Sequence, residues 1–182
     1  MHRLDAPLDA AADLGIEAAL AQLRNSKDVD SDLVKVLDIA IGITGADMGT
    51  VQRFEERDDC LRLVASRGIS SQAVDFFAIV RRNTNTTCAA AFTQRMRVFV
   101  EDISTSYLFV GTRELDILTA GGIVAAQSTP LITSNGRLRG VITTHFREPQ
   151  IEAAFDHALL DRLAVLIADI LEQQESLVPK PA

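Results

Sequence analysis

The sequence has no tryptophan, one tyrosine and only two cysteines among 182 residues. Two cysteines in a chain of this length do not make a disulfide framework, so a hydrophobic core must hold the fold together. Basic residues are also few: 18 Lys and Arg against 25 Asp and Glu give a formal net charge of −7. That balance argues against partners that recruit Lys and Arg, namely nucleic acids and anionic membrane surfaces.

Long apolar runs are missing as well. The longest, Leu163–Ala168, is far too short to span a membrane and ends at Asp169. The N-terminal stretch Met1–Pro7 lacks the apolar core of a secretory signal, so we expect a cytoplasmic protein. There is no Gly-rich phosphate loop, paired-carboxylate site or nucleophile elbow, and the three histidines fall on different predicted elements, which excludes a metal cluster with ligand spacing.

What is present is a core-forming composition of 47% hydrophobic and 24% charged residues, which indicates one folded domain with appended helices. Apolar residues at helical spacing predict helices at 8–25 and from Ser31, as a capping residue, to Thr44, separated by the polar break Asn25–Asp30. We divide the chain into residues 1–29 (N-terminal helix and linker), 30–175 (main domain) and 176–182 (flexible tail).

Strands and helices alternate irregularly through the middle of the chain. Two alternating runs, Met48–Phe54 and Leu61–Ser66, predict a hairpin joined by a charged turn. The later elements are helices at Ser70–Arg82, Cys88–Arg95, Thr112–Ala120 and Ile151–Leu177 and a short edge strand at Arg97–Glu101. Antiparallel hairpins at both ends of the strand set favour an α+β fold.

The stretch 121–146 organises the chain, because two β-branched runs flank Asn135-Gly136, a strong signal for a two-residue type I′ hairpin. Paired residue numbers then sum to 271, which places Ser134 opposite Arg137, Ser128 opposite Thr143 and Ala126 opposite His145. One face carries Ile123, Ala125, Gln127, Thr129, Leu131, Leu138, Ile142, Thr144 and Phe146; the other carries Val124, Ala126, Ser128, Pro130, Ile132, Val141, Thr143 and His145. Hydroxyls and a histidine among apolar residues suit either a ligand cavity or an ordinary buried hairpin.

These residues carry a family resemblance. Gln127–Leu131 and Gly136–Phe146, followed by Pro149, resemble the closing hairpin of a GAF domain, a small-molecule-binding sensory module of bacterial signalling proteins. Segments resembling the same family precede it in order: Ala46–Phe54, Leu61–Ala65, Cys88 in an Ala-rich run, and Arg97–Ile103. The resemblance covers roughly residues 30–175.

The resemblance implies a central antiparallel sheet of five to six strands. The terminal helices would cover one face, and the segment 67–122 would form a helix-and-loop lid over a pocket on the other. The resemblance also implies that five residues face the pocket: Thr50, Gln52, Ser128, Thr143 and His145. The ligand and any cofactor are not indicated.

Cys88 is the sharpest chemical candidate because a helix N-terminus favours a thiolate. It is either a redox-sensitive or ligand-contacting thiol, or a small residue against which a neighbouring element packs. The free-methionine sulfoxide reductase of the GAF family has a cysteine near this position. Its catalytic cysteine would lie in the loop Ser104–Gly111, which here contains no thiol, and Cys60, expected at the hairpin rim, does not replace it.

His145 lies near a histidine that contacts the chromophore in bilin-binding relatives. The alternative is a histidine that fills space and bonds a hydroxyl such as that of Thr143. The cyanobacteriochrome-type attachment pair Cys-His is replaced by Thr112-Arg113. The Asn-Lys-x-Phe-Asp-Glu signature of cyclic-nucleotide-binding GAF domains is also absent.

The last predicted helix carries more apolar residues than one sheet face should cover, notably Leu160, Ile167 and Leu171. Together with Ala11, Leu14 and Ala18 of the first helix they favour a homodimer, although one wide core-facing stripe would explain the same pattern. The sequence therefore predicts a non-catalytic, ligand-binding sensory domain that acts as a homodimer with an unidentified signalling partner. The alternatives are a thiol-based redox sensor or reductase using Cys88, a bilin-binding photoreceptor domain, and a structural GAF domain whose pocket is filled by its own side chains and which serves only for dimerisation.

Overall fold

The computed structural model describes residues 10–177, with side chains described for residues 15–176. Six strands form one antiparallel sheet in the order β3-β2-β1-β6-β5-β4. The strands are β1 Met48–Glu55, β2 Cys60–Arg67, β3 Ile79–Arg81, β4 Val98–Val100, β5 Ala125–Ile132 and β6 Leu138–Phe146. The first strand pairs with the last, so distant parts of the chain meet at the centre of the sheet. The predicted α+β class and strand number are confirmed.

Three helices cover one face of the sheet: α1 Ala10–Arg24, α2 Val29–Thr44 and α6 Ala158–Leu177. Helix α2 starts three residues earlier than predicted, because Asp28 and not Ser31 is its N-cap, and it ends at Gly45 as predicted. Leu and Ile side chains at helical spacing point from these helices toward β1, β5 and β6 and form the largest core cluster. Burial of this apolar surface is the main driving force for folding.

The other face is covered by a lid of short helices and loops. The helices are α3 Ser71–Phe76, α4 Thr87–Gln94 and α5 Arg113–Ala120. Each begins with a hydroxyl residue, Ser70, Thr86 or Thr112, whose side chain accepts a hydrogen bond from the backbone N–H three residues later. The sequence thus encodes three well-defined helix starts within a lid that contains much irregular chain.

The turn between β5 and β6 differs from the predicted two-residue type. Thr133 N–H donates to Arg137 O at 2.8 Å, and Gly136 N–H donates to Thr133 O at 2.8 Å, so three residues form the loop. Gly136 has φ +87°, the left-handed conformation that a three-residue hairpin places at its last position. The predicted pair of Ser134 with Arg137 is therefore wrong.

A register shift between Leu131 and Ile132 compensates for the longer loop. Beyond it, Ser128 pairs with Thr143 and Ala126 with His145, as predicted. Between the shift and the turn β6 alone changes face, so Leu138, predicted on the face of Ile142, packs on the lid side instead, whereas Ile132 of β5 stays on its predicted face.

Two predicted helices are shorter than expected. The helix expected over Ser70–Arg82 ends at Phe76, and Ile79–Arg81 forms the edge strand β3 beside β2, where Cys60, expected at a rim, is buried. The helix expected from Ile151 starts at Ala158, after a 3₁₀ turn at Glu152–Ala154.

The apolar residues assigned to a dimer interface have partners within the chain. Leu160, Ile167 and Leu171 are each no more than 2% exposed, in the core cluster shared with α1 and α2. The expectation that α6 carries apolar residues left uncovered by the sheet is therefore corrected, because α1 packs beside α6 and covers them. Ala18 is exposed. The side chains of Ala11 and Leu14, and most of the predicted tail 176–182, lie outside the described residues.

Among residues 10–177, no helix is long and apolar enough to cross a membrane. The same part of the chain contains no cluster of three or more His, Cys, Asp or Glu suited to a metal ion.

Candidate ligand-binding cavity

A cavity of about 40 Å³ lies between the centre of the sheet and the lid. Its floor comes from β1, β2, β5 and β6, and its cover comes from α3, α4, α5 and the loop before α5. The lining residues are Thr50, Gln52, Leu63, Ile69, Ala73, Phe77, Thr86, Thr87, Cys88, Phe109, Leu118, Ile123, Ala126, Thr143 and His145. A space of this volume holds about three water molecules.

Five of the six site residues predicted from the sequence line this one cavity. Thr50 and Gln52 alternate along β1, and Thr143 and His145 alternate along β6, so the period of two directs all four to the lid side. Thr50 and Thr143 are direct cross-strand partners. Cys88 reaches the same space from the first turn of α4.

Ser128, the sixth predicted residue, lies behind the cavity wall. It is completely buried, and its Oγ donates to Thr87 Oγ1 at 2.8 Å and lies 2.8 Å from Thr143 Oγ1. This hydroxyl chain joins the start of α4 to the centre of the sheet. Ser128 therefore positions Thr143 and the lid helix, and it does not line the cavity.

Several cavity residues were missed by the sequence reasoning. Thr87 lies beside Cys88 at the end of a polar loop that is typical of a helix start. Nothing in that local pattern therefore marked the Thr87 hydroxyl as a cavity group. The cover is made by Phe77, Phe109 and Leu118, of which Phe109 is 1% exposed. Phe109 comes from an irregular loop without hydrophobic periodicity, where sequence patterns do not predict side-chain direction.

Two buried polar atoms of the lining residues have no protein partner: Gln52 Oε1 and His145 Nδ1. Gln52 is 2% exposed and His145 is 8% exposed. His145 Nδ1 does not make the bond to Thr143 that one interpretation of the sequence expected, and the Thr143 hydroxyl lies 2.8 Å from Ser128 Oγ instead. Buried polar groups in proteins are almost always paired with protein or with ordered water, so these two atoms mark where an occupant of the cavity would bond.

Burial lowers the pKa of His145 from its ordinary 6.5 to about 4. The imidazole is therefore neutral at physiological pH, since removing it from water penalises the charged form. It can exchange one hydrogen bond through each ring nitrogen but presents no charge to the cavity.

A family profile for the GAF domain matches residues 26–172, which is most of the chain. The chain belongs to the GAF domain family. The match begins at the break before α2 and ends within α6, so it includes every strand of the sheet and the whole lid.

Solved structures share this fold. The GAF domain of an Acinetobacter phosphoenolpyruvate-protein phosphotransferase superposes with a TM-score of 0.70 at 14% identity, covering 92% of this chain and 96% of that one. A domain of a two-component sensor histidine kinase protein from Sinorhizobium meliloti gives 0.66 at 22% identity, covering 84% and 97%. A free methionine-R-sulfoxide reductase from Neisseria meningitidis, solved with its substrate, gives 0.67 at 17% identity and covers 98% of both. No curated protein sequence matches significantly.

In this GAF domain Cys88 is a protonated thiol. Burial raises the pKa of its side chain, and hydrogen bonds from Thr86, from the backbone N–H groups of Ala89 and Cys88 and from Gln52 oppose the effect only in part. The helix N-terminus thus fails to produce the thiolate that the sequence suggested. The Sγ atom lies 3.1 Å from Thr86 Oγ1, and both cysteines are free.

Proposed function

We propose that this GAF domain is a non-catalytic sensory module that binds a small molecule between the sheet and the lid. The observation that carries the proposal is the pair of buried, unpartnered polar atoms on Gln52 and His145, both of which line one cavity. A guest that bonds to them would remove the cost of leaving them unpaired. The same guest would fill space that the lid side chains leave empty.

The sheet offers a route from the cavity to the helices. Gln52 faces the cavity, and the next residue, Arg53, points to the opposite face. Arg53 Nη1 lies 3.1 Å from Asp30 Oδ1 of α2, and its Nη2 lies 2.8 Å from Glu175 Oε1 of α6. A ligand that moves β1 would therefore change ion pairs that hold both helices. We infer that α6 carries the response to an unidentified signalling partner.

Homodimerisation through α1 and α6 is also part of the proposal, on a smaller surface than the sequence predicted. Val165 is 38% exposed, and Ala18 and Gly15 are exposed on α1. Arg162 Nη2 lies 3.5 Å from Glu17 Oε1 and links the two helices side by side. Small residues on this outer surface would allow a second copy to approach closely.

The neighbouring reductase structure raises the question of catalysis, and we propose that this chain is not an enzyme. Nucleophilic attack on a sulfoxide needs a thiolate, and the Cys88 thiol is buried with a raised pKa. The loop Ser104–Gly111 has no cysteine and instead supplies Phe109 to the cavity cover.

The predicted organisation completes the proposal. Residues 30–175 form the ligand-binding domain, residues 1–29 supply the dimerisation helix and linker, and the protein acts in bacterial cytoplasmic signalling. The support is that every cavity-lining residue lies between α2 and α6 in the chain and that Arg53 connects β1 to both helices, whereas α1 packs in the helix-side core.

Native mass spectrometry tests the binding proposal. Wild-type protein should carry a non-covalent small molecule that is released on denaturation. Ala126→Val should lose it while remaining folded, because Ala126 lines the cavity and the added methyl groups fill it. Ala78→Val, which makes the same change at an exposed position, serves as the matched control. Wild type without any bound molecule, or occupancy unchanged in Ala126→Val, would contradict the proposal.

A further inference from the structure

The cavity contains no charged side chain. Of its fifteen lining residues none is Asp, Glu, Lys or Arg, and its polar groups are threonine hydroxyls, one amide, one thiol and one imidazole. The charged residues directly adjacent in sequence to lining residues are engaged elsewhere: Arg53, next to Gln52, pairs with Asp30 and Glu175 on the opposite face, and Arg62, next to Leu63, pairs with Glu55.

The imidazole does not change this. The His145 side chain is buried, and the loss of hydration lowers its pKa to about 4. The Cys88 thiol is likewise held in its neutral form by burial. Both titratable side chains in the lining are therefore uncharged at pH 7, and neither presents a charge to the cavity.

An ion entering such a space would lose its hydration without gaining a counter-charge. Burying an unpaired carboxylate or ammonium is far more costly than burying a hydroxyl that finds a hydrogen-bond partner. The lining thus discriminates against anions and cations alike. Apolar surface for an uncharged guest is provided by Leu63, Phe77, Phe109, Leu118 and Ile123.

The unpartnered atoms specify the polar part of the guest. Gln52 Oε1 is a hydrogen-bond acceptor, so its missing partner is a donor. The Thr143 hydroxyl is already bonded to Ser128, and the Thr86 hydroxyl accepts from Ala89 N–H and lies against the Cys88 thiol. One polar group that donates to Gln52 Oε1 and also meets His145 Nδ1, on an otherwise apolar frame, complements what remains.

We propose that the cavity selects an uncharged, compact and mostly apolar molecule carrying one hydroxyl or N–H group, which donates to Gln52 Oε1. This ligand class rests on the proposed sensory function. The small volume of the cavity sets the scale: a guest larger than about three water molecules enters with outward movement of the lid side chains Phe77, Phe109 and Leu118.

Three probes with one carbon frame test the proposal: isobutanol, isobutylammonium and isobutyrate at pH 7.5. Binding to the full chain is followed by amide chemical-shift changes in two-dimensional NMR. We expect saturable shifts at Cys88, Ala126 and His145 with isobutanol, and binding of both ions weaker by at least about tenfold because each buries an unpaired charge. Ala126→Val should abolish the isobutanol shifts, and Ala78→Val should leave them unchanged.

Gln52→Leu tests the hydrogen bond to the guest separately from the space that the guest fills. It keeps a side chain of similar size without an acceptor, so we expect isobutanol affinity to fall by about three- to tenfold. Unchanged affinity in a folded Gln52→Leu protein would remove the assigned role of Gln52. If that variant does not fold, the three-probe comparison on wild type still decides the charge class.

Either ion binding in the cavity as tightly as isobutanol would overturn the inference and leave the proposed function intact, since the cavity would then bind charged ligands. No cavity shift with any probe would also overturn the inference. The proposed function is judged separately, by whether purified protein carries a molecule that Ala126→Val loses.

Discussion

The two faces of the sheet are covered in different ways. On the helix side, eighteen buried apolar residues form one continuous cluster. On the lid side, the described residues form two clusters of eight and six buried members with the cavity beside them. The helix side also buries Gln127 and Thr144, cross-strand partners with unpaired polar atoms, but they lie toward the β4 edge and outside that cluster.

This difference separates stability from binding. Folding free energy scales with buried apolar area, and the largest continuous apolar cluster of the described residues is on the helix side. Unpaired polar atoms occur on both faces, but those of Gln52 and His145 on the lid side border unfilled space, where a ligand can bond to them. A lid held by less packing also opens at a lower free-energy cost than the helix-side core. A ligand needs such opening to enter a closed cavity.

The largest expected effect is the loss of folding in Ile167→Asp. Ile167 is fully buried at the centre of the helix-side cluster, so the substitution places an unpaired carboxylate in an apolar core. We expect destabilisation of more than about 4 kcal/mol, seen as loss of the cooperative thermal transition in circular dichroism. Val165→Asp, two residues away on the exposed side of the same helix, should fold normally.

A folded Ile167→Asp protein would show that the helix side is not the main core. That outcome would also restore the interpretation in which Ile167 serves an interface between copies.

Matched truncations compare the two faces directly. Leu163→Ala removes three side-chain carbons from the helix-side cluster, and we expect a loss of about 3–5 kcal/mol, as for other well-packed leucines. Leu118→Ala makes the same change in the lid, where Leu118 already borders empty space. We expect about 2 kcal/mol there, at the low end for such truncations.

Urea unfolding of both variants measures the difference. Equal losses would mean that the lid is packed as tightly as the helix side, and the assignment of stability to one face would be wrong.

The sequence predicted one face better than the other, for a physical reason. Helices α2 and α6 repeat Leu and Ile at a period that identifies their buried side, and the alternation along β1 and β6 places Gln52, Thr143 and His145 together. Both signals are local and periodic. The lid contains short helices and irregular loops, so nothing local directs Phe109 or Thr87 inward, and β3 reads as the end of a helix.

The Asn135-Gly136 turn shows a second limit. The dipeptide fits a two-residue hairpin, but a three-residue loop also places Gly136 in a left-handed conformation. The loop choice was decided by distant contacts: Ser134 N–H donates to Asp169 of α6 at 2.8 Å, and the Asn135 amide donates to Glu172 at 3.1 Å. Such tertiary partners are not visible in a local pattern.

Acid should destabilise the lid side through His145. Its pKa is about 4 in the folded protein and 6.5 when unfolded, so the unfolded state binds a proton that the folded state excludes. Stability from this group is complete above pH 6.5, falls as the pH drops toward 4 and falls no further below that. The expected loss between pH 7 and pH 4 is about 3 kcal/mol.

Urea unfolding at pH 7, 5.5 and 4, for wild type and His145→Gln, isolates this contribution from the carboxylates that titrate in both. The variant should lose about 3 kcal/mol less than wild type over that range. An identical pH dependence in the two proteins would show that His145 is hydrated in the folded state.

The smallest effect on stability, and the test of the outer helix surface, is expected from Val165→Asp. Val165 is 38% exposed on α6 beside α1, so a carboxylate there stays in water in the monomer and should change the free energy of unfolding by less than about 0.5 kcal/mol. In a two-fold dimer through α1 and α6 the same change would bring two carboxylates toward each other, and we expect the dimer to weaken by at least about tenfold.

Ile79→Asp on the edge strand β3, with Ile79 43% exposed, is the matched control and should leave the dimer intact. Sedimentation of all three proteins at tens of micromolar (roughly the Kd range of modest interfaces) measures the outcome. A monomeric wild type would remove dimerisation from the proposed function, whereas a dimer sensitive to Ile79→Asp and not to Val165→Asp would move the interface from the helix side to the edge of the sheet.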